Sequence, residues 1–408
     1  CWHSRNWSVA QPGGPTLASR MVAGKIWRDF ALTEIVSRDV AEADRRGLVR
    51  IHGLESPSTL AASCIDCAAL VRQSQGSRDS IARLGAQLAH AAESSSAVIA
   101  LDLIESWLTM VAEPNESPAK LADMFWQELH SRLRTSPIEC VLNLYGGMPQ
   151  GVEMELGAGP LFSHQPLCFE REFAGAIAQE ILGRFQRDGA DWPNLRADWH
   201  WYVAPDPVQS ALVQRILRVI AEGLPVAIVF DRGPISLCEG IRRVGDSVRP
   251  VLEYVGVSLP LIWRDAGCPH SLPALEDGLL SAIQLAVRSA VQKREFVRRL
   301  PHTTDLDAVD HAVASIFPIG LDWTVRQLVG KSFAEDEGAL KLAETLVRYL
   351  REAAERESRF FALSMIVDNP VKSPAGIHAP QLGNEDDSQE LAGMVPCIEV
   401  GGQRRRLH

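Results

Sequence analysis

GLPVAIVFDRGPISLCEGIRRVGDSVRPVLEYVGVSLPL, residues 223–261, carries the reading of the fold. Pro225 to Phe230 is an apolar, β-branched run closed by Asp231, Arg232, Gly233 and Pro234. A run of that kind between turn residues reads as a fully buried parallel strand. Asp231 then stands at its carboxyl end, where α/β folds present ligand and catalytic groups. The loop continues through Ser236, Cys238 and Glu239 to a second strand, Val251 to Val257. Asp231, Cys238 and Glu239 are therefore the candidates for catalysis. Their plainer roles would be a turn cap for Asp231 and a small buried apolar side chain for Cys238.

Working outward, Ala197 to Ala204 is a further strand, in which alternation puts Trp199 and Trp201 on one face and Asp198 with His200 on the other. Pro207 suits the first turn of a helix that runs to Glu222 and stops at Gly223. Strand, helix and strand make a βαβ unit. The carboxyl ends of the strands at 199–203, 224–230 and 251–257 are expected to converge on one cavity. Ile138 to Tyr145 is another strand, containing Asn143 and followed by a long glycine-rich loop that includes His164. Loops of that length inside a compact domain are functional or disordered. Asn143, His164 and His200 are the expected ligand-binding residues.

Residues 23–136 read as a helical N-terminal region behind a loose arm at 1–22. Helices are expected at 57–74, 78–93 and 97–112, and another opened by Ser117 and Pro118. Cys64 and Cys67 have the spacing of half a zinc site, but no second pair matches them. Downstream, helices are expected from Leu272 to Arg299, Leu321 to Val329 and Asp336 to Glu357. Ile316 to Gly320 reads as an apolar link, and Phe361 to Val367 as a final strand. Residues 137–369 thus form an α/β barrel-like domain, and the Pro-, Gly- and acid-rich 370–408 a disordered tail.

The 408 residues are 46% hydrophobic and 23% charged, ordinary for a globular protein. A formal charge of -10, with Arg404 to Arg406 the one dense basic run, argues against nucleic acid as a partner. No apolar run is long enough to span a membrane and no signal-peptide core stands at the start, so a cytoplasmic location is expected. Eight cysteines in so long a chain read as reduced thiols.

The order of elements from Pro193-Asn194-Leu195 through Leu224 to Pro234, Leu259-Pro260-Leu261, Gln292 to Phe296, Ile319-Gly320-Leu321 and Asn369-Pro370 resembles the barrel of YjjI-type glycyl radical enzymes over residues 190–372. The resemblance implies an α/β barrel of two five-stranded half-barrels. In that family a glycine radical generates a cysteine thiyl radical that takes hydrogen from the substrate. This chain departs from the pattern twice. It has no Arg-Val-x-Gly-Tyr motif, its tyrosines being Tyr145, Tyr202, Tyr254 and Tyr349. Where the thiyl cysteine is expected, before Leu259, it has Tyr254, Val255 and Gly256. Cys238 is the nearest thiol before it in sequence.

The expected function is a degenerate or truncated glycyl-radical-enzyme-like protein that holds a small polar metabolite at the barrel mouth. A non-catalytic binding or subunit protein on the same scaffold is the alternative, and a hydrolase a more remote one, since no HExxH, GxSxG or Walker spacing occurs. No bound cofactor is expected, and an organic radical only if the likeness extends to mechanism. The partners implied are a small-molecule ligand, a radical-SAM activase and a second copy in a homodimer.

Overall fold

The computed structural model describes residues 17–67, 70, 76–134, 136, 138–145, 171–192, 194–201, 207–230, 236–238, 241–244, 247–300, 306–361, 363–367, 397–400 and 403–406. Helices α1 (Leu17–Phe30) and α2 (Arg38–Arg46), joined by a π-helical turn, lead into strand β1 (Val49–Ile51). Gly47 closes α2 in the left-handed region, with φ 78. The first half of the sheet is then laid down as β2 (Leu60–Asp66), β3 (Ser95–Asp102), β4 (Glu139–Leu144), β5 (Leu195–Trp201) and β6 (Val226–Phe230). All four pairings among these strands are parallel. The connections are α3 (Ser77–Ser94) between β2 and β3, α4 (Ile104–Val111) and α5 (Pro118–Leu133) between β3 and β4, α6 (Arg171–Asp188) between β4 and β5, and α7 (Pro207–Ala221) between β5 and β6. Ser117 caps α5, its hydroxyl accepting from the Lys120 N–H, with Pro118 in the first turn.

The second half consists of β10 (Val251–Ser258), β11 (Val313–Ile319) and β12 (Ser364–Val367), again parallel to one another. Helices α8 (Leu259–Asp265), α9 (Glu276–Arg298), α10 (Leu306–His311), α11 (Leu321–Val329) and α12 (Glu337–Ser358) complete it. Between the halves lies a small antiparallel sheet of β7 (Ser236–Cys238), β8 (Ile241–Val244) and β9 (Ser247–Arg249). A hairpin pairs β13 (Cys397–Val400) with β14 (Gln403–Arg406).

The halves join where β10 meets β2 antiparallel, Val251 opposite Ala62, to give one nine-stranded sheet ordered β12-β11-β10-β2-β3-β4-β5-β6, with β1 on β10. It is the curled sheet of a half-barrel fold, its outer face covered by helices. Two apolar cores lie under those helices. One packs Leu101, Leu142, Leu195 and Trp199 against α3 to α7, and the other packs Leu252, Val255, Ile316 and Met365 against α9, α11 and α12. On the inner face Ala62, Ala100, Val141, Val251, Val313 and Phe317 make a third cluster. No helix of the described residues is long and apolar enough to cross a membrane.

The βαβ unit of β5, α7 and β6 is present, with Ala197 beside Val226 and His200 beside Val229. Three expectations need correction. Residues 57–74 and 97–112, read as helices, contain β2 and β3, so the sheet begins inside the region read as helical. Their alanines, Ala61, Ala62 and Ala100, are 0% exposed between packed neighbours, and tertiary burial overrides the helical propensity of alanine. Ile316 to Gly320 is not a link. It is the carboxyl half of β11, where Pro318 lies past the last β12 pairing at Ile316 and Val367. That position spares the β12 side of the ladder a missing donor. Finally, β10 runs opposite to β5 and β6, because β2 is parallel to both and antiparallel to β10. Its carboxyl end lies at the other end of the sheet from theirs.

Gly256 shows how tightly the inner face of the second half is filled. A Cβ built there would sit 2.5 Å from Ile319 Cδ1 and 2.9 Å from Phe317 Cε2. Replacing it with alanine, Gly256→Ala, should therefore lower the unfolding free energy by about 1–3 kcal/mol, the usual range for overpacking. Urea denaturation with an unchanged slope would read this, and an unaltered midpoint would mean that β11 does not press on β10.

Candidate functional site

Strands β3, β4 and β5 each end with polar side chains on the inner face, and parallel register sets them side by side. Asn143 of β4 is opposite Asp198 of β5, and Asp102 of β3 follows the Leu101–Leu142 pair that brings it beside Asn143. One step further along stand Tyr145 and His200. All five are buried, Asn143, Tyr145 and His200 at 0% exposure. Polar groups so far from water persist only where hydrogen bonds compensate them.

The bonds form a connected row. The Tyr145 hydroxyl donates to Asp102 Oδ1 at 2.6 Å, and the Tyr145 backbone N–H donates to Glu105 Oε1 at the start of α4. The tyrosine ring stacks on the His200 imidazole, with centroids 4.4 Å apart and planes 20° from parallel. His200 Nε2 lies 3.2 Å from Asn143 Oδ1. An amide oxygen only accepts, so in this arrangement His200 donates through Nε2. Asn143 Nδ2 is then left with no hydrogen-bond partner among the described residues. Beside it Arg196 grips Asp198 with two bonds, Nε to Oδ1 at 2.9 Å and a terminal nitrogen to Oδ2 at 3.0 Å. Its other terminal nitrogen lies 3.1 Å from Glu139. This planar, two-pronged pairing is the arrangement that arginine rather than lysine supplies.

Of the residues expected from sequence, Asn143 and His200 are brought together directly. Cys238 belongs to β7, on the connection between the two halves. The Cα atoms of β7 come within 8 Å of those of β3 and β4, whose outer faces are taken by helices, so β7 approaches from the inner side. Asp231, Glu239 and His164 lie outside the described residues. Cys140, next to this row in sequence, is on the outer face, where burial pushes its thiol pKa up and keeps it protonated and inert. Among the described residues no cluster of His, Cys, Asp and Glu could hold a metal ion.

Sequence reasoning missed Asp102, Glu105, Tyr145 and Arg196. The available signal was polar residues closing two otherwise apolar runs, SSAVIALD and ECVLNLY. Removing one member of the Arg196–Asp198 pair strands a buried charge. Arg196→Met should therefore cost about 3–5 kcal/mol of stability, and the double variant Arg196→Met/Asp198→Leu should regain most of it. Chemical denaturation of both variants checks this, and a double variant no better than the single would show that the pair is not the source.

The sequence matches no model of a known protein family and no curated protein. Solved structures do share the fold. The anaerobic ribonucleotide reductase from Thermotoga maritima with citrate in the active site superposes with a TM-score of 0.63 at 12% identity, covering 86% of this chain and 72% of that one. Another anaerobic ribonucleotide reductase gives 0.63 at 13%, covering 87% and 64%, so this chain spans less than two thirds of it. The Thermotoga maritima enzyme in complex with dATP and CTP gives 0.62 at 13%, covering 86% and 67%. At these identities the likeness is one of fold, that of the glycyl radical enzymes.

Proposed function

We propose that this chain is a glycyl-radical-enzyme-like protein of the YjjI type that holds a small polar metabolite against the inner face of β3, β4 and β5. The observation that carries the reading is Asn143 Nδ2, a buried donor with no hydrogen-bond partner among the described residues. An unmet buried donor is costly, and an acceptor oxygen on a ligand would relieve it. Asn143 would donate to a carbonyl, hydroxyl or carboxylate oxygen of the metabolite. His200 would keep the carboxamide oriented, and the Asp102–Tyr145 pair would hold a proton at the phenolic oxygen beside it. Arg196, already occupied by Asp198 and Glu139, would stiffen the wall rather than bind. Cys238, on the connection between the halves, is a thiol that this segment carries toward the inner face.

Radical catalysis would need a glycine positioned to exchange hydrogen with that thiol, and proximity governs such a step. The Arg-Val-x-Gly-Tyr motif is absent from the sequence, which favours binding without radical turnover. Glycerol and citrate each stand in the active site of a Thermotoga maritima anaerobic ribonucleotide reductase structure. Both are fitting first probes, being small and rich in acceptor oxygens.

Saturation-transfer NMR with glycerol and with citrate should detect binding, and Asn143→Ala should weaken it by about 3–10-fold, the worth of one hydrogen bond. Equal binding by the variant would remove Asn143 from the site. Anaerobic incubation with a radical-SAM activase and S-adenosylmethionine should give no glycine-centred doublet in electron paramagnetic resonance. A doublet would make the protein a working radical enzyme.

A further inference from the structure

A second group of buried ionisable side chains lies on the opposite face of the sheet, away from the proposed site. Glu253 of β10 is 0% exposed and points outward to α9, where the Ser289 hydroxyl donates to its Oε2 at 2.9 Å. Lys293, one turn further along α9 and 3% exposed, completes the group. Neither Glu253 Oε1 nor Lys293 Nζ has a hydrogen-bond partner among the described residues. The two act on one another through the interior without a direct bond. Gly53, in the turn between β1 and β2, roofs the lysine. A Cβ there would stand 3.6 Å from Lys293 Nζ and 3.1 Å from Ser96 Oγ, on a backbone with φ +85 that side chains avoid.

Each element around Glu253 adds a charge. From α2 comes Asp44, which accepts from the Ile51 N–H and pairs with Arg28 of α1. The turn supplies His52 and Glu55, both of which act on one another electrostatically, and Glu55 also on Lys293. Arg50 of β1 alternates to the other face, since Val49 and Ile51 belong to the outer core.

We propose that Glu253, Ser289 and Lys293 form a proton-loaded latch that fastens α9 and the 52–59 turn onto β10, and that slackens when Glu253 gives up its proton. A protonated carboxyl at that place needs no counter-charge. An ionised one depends on a lysine that does not touch it. The neighbouring residue, Tyr254, faces inward, and its ring meets His52 edge-on at 6.2 Å, so a loosened turn would reach the inner wall.

Burial raises the Glu253 carboxyl to about 7 and lowers Lys293, while burial takes His52 down to about 4. The signs follow from proton counting. Glu253 stabilises the closed state fully below its unfolded value, and that contribution is lost as pH rises through about 7. His52 works the other way, its contribution being lost as pH falls from its ordinary value through about 4. A freed His52 is still half protonated at about pH 6.5, which lowers protection there by about two-fold, so the latch is read as the ratio of wild-type to Glu253→Gln protection.

Hydrogen exchange of amides in 289–296 and 52–59 of the whole chain provides the test. After correction for intrinsic rates, the ratio of wild-type to Glu253→Gln protection should fall by about four-fold from about pH 6.5 to about pH 8.5, which is what a carboxyl moving between about 7 and its ordinary value gives. Glu253→Gln, which mimics the protonated form, should show no fall of its own. Ser289→Ala, which removes a donor to the carboxylate, should move the midpoint to higher pH. A flat ratio, a fall in Glu253→Gln itself, or a midpoint unmoved in Ser289→Ala would overturn the latch.

Discussion

The antiparallel meeting of β10 with β2 is the constraint on which the rest of this structure depends. Each half of the sheet is parallel within itself, so each strand must return by a helix on the outer face. Where Val251 meets Ala62 the chain direction reverses, and the two halves offer opposite ends on any one side. The polar ends of β3, β4 and β5 consequently face the amino end of β10 and not its carboxyl end. The connection that must cross between the halves is then the segment able to reach the inner face, and it carries β7 and Cys238.

Burial of charge is handled differently on the two faces. On the inner face every carboxylate of the row has a donor: Tyr145 serves Asp102 and Glu105, and Arg196 serves Asp198 and Glu139. That closed bookkeeping leaves one amide donor turned outward from the network. On the outer face Glu253 and Lys293 face each other at a distance, and the interior raises the carboxyl toward neutrality. The first arrangement rigidifies a wall, while the second leaves one proton free to move near physiological pH.

How much of this the sequence disclosed depended on whether local pattern and tertiary setting agreed. The βαβ unit from Leu195 to Phe230 was legible because Pro207 and Gly223 punctuate its helix and Val226 to Phe230 is β-branched. Leu60 to Asp66 and Ser95 to Asp102 were not, because alanine favours helices until a crowded inner face demands a small side chain. Mistaking β3 for a helix hid Asp102, and with it the partner that makes Tyr145 part of the row. His200 was found from strand alternation, and Asn143 from its place on the strand before the glycine-rich loop. Their contact, set by the register of β4 on β5, is a property of pairing that no single strand reveals.

The connection between the halves brings β7, the strand that carries Cys238, to the inner side of β3 and β4. A short thiol-bridging reagent applied to the variant Asn143→Cys, followed by peptide mass mapping, tests it most directly. A bridge from Cys238 to the thiol introduced at position 143 is expected in the folded protein and not in denaturant. No bridge, together with free alkylation of Cys238 at the rate found for the unfolded chain, would contradict it.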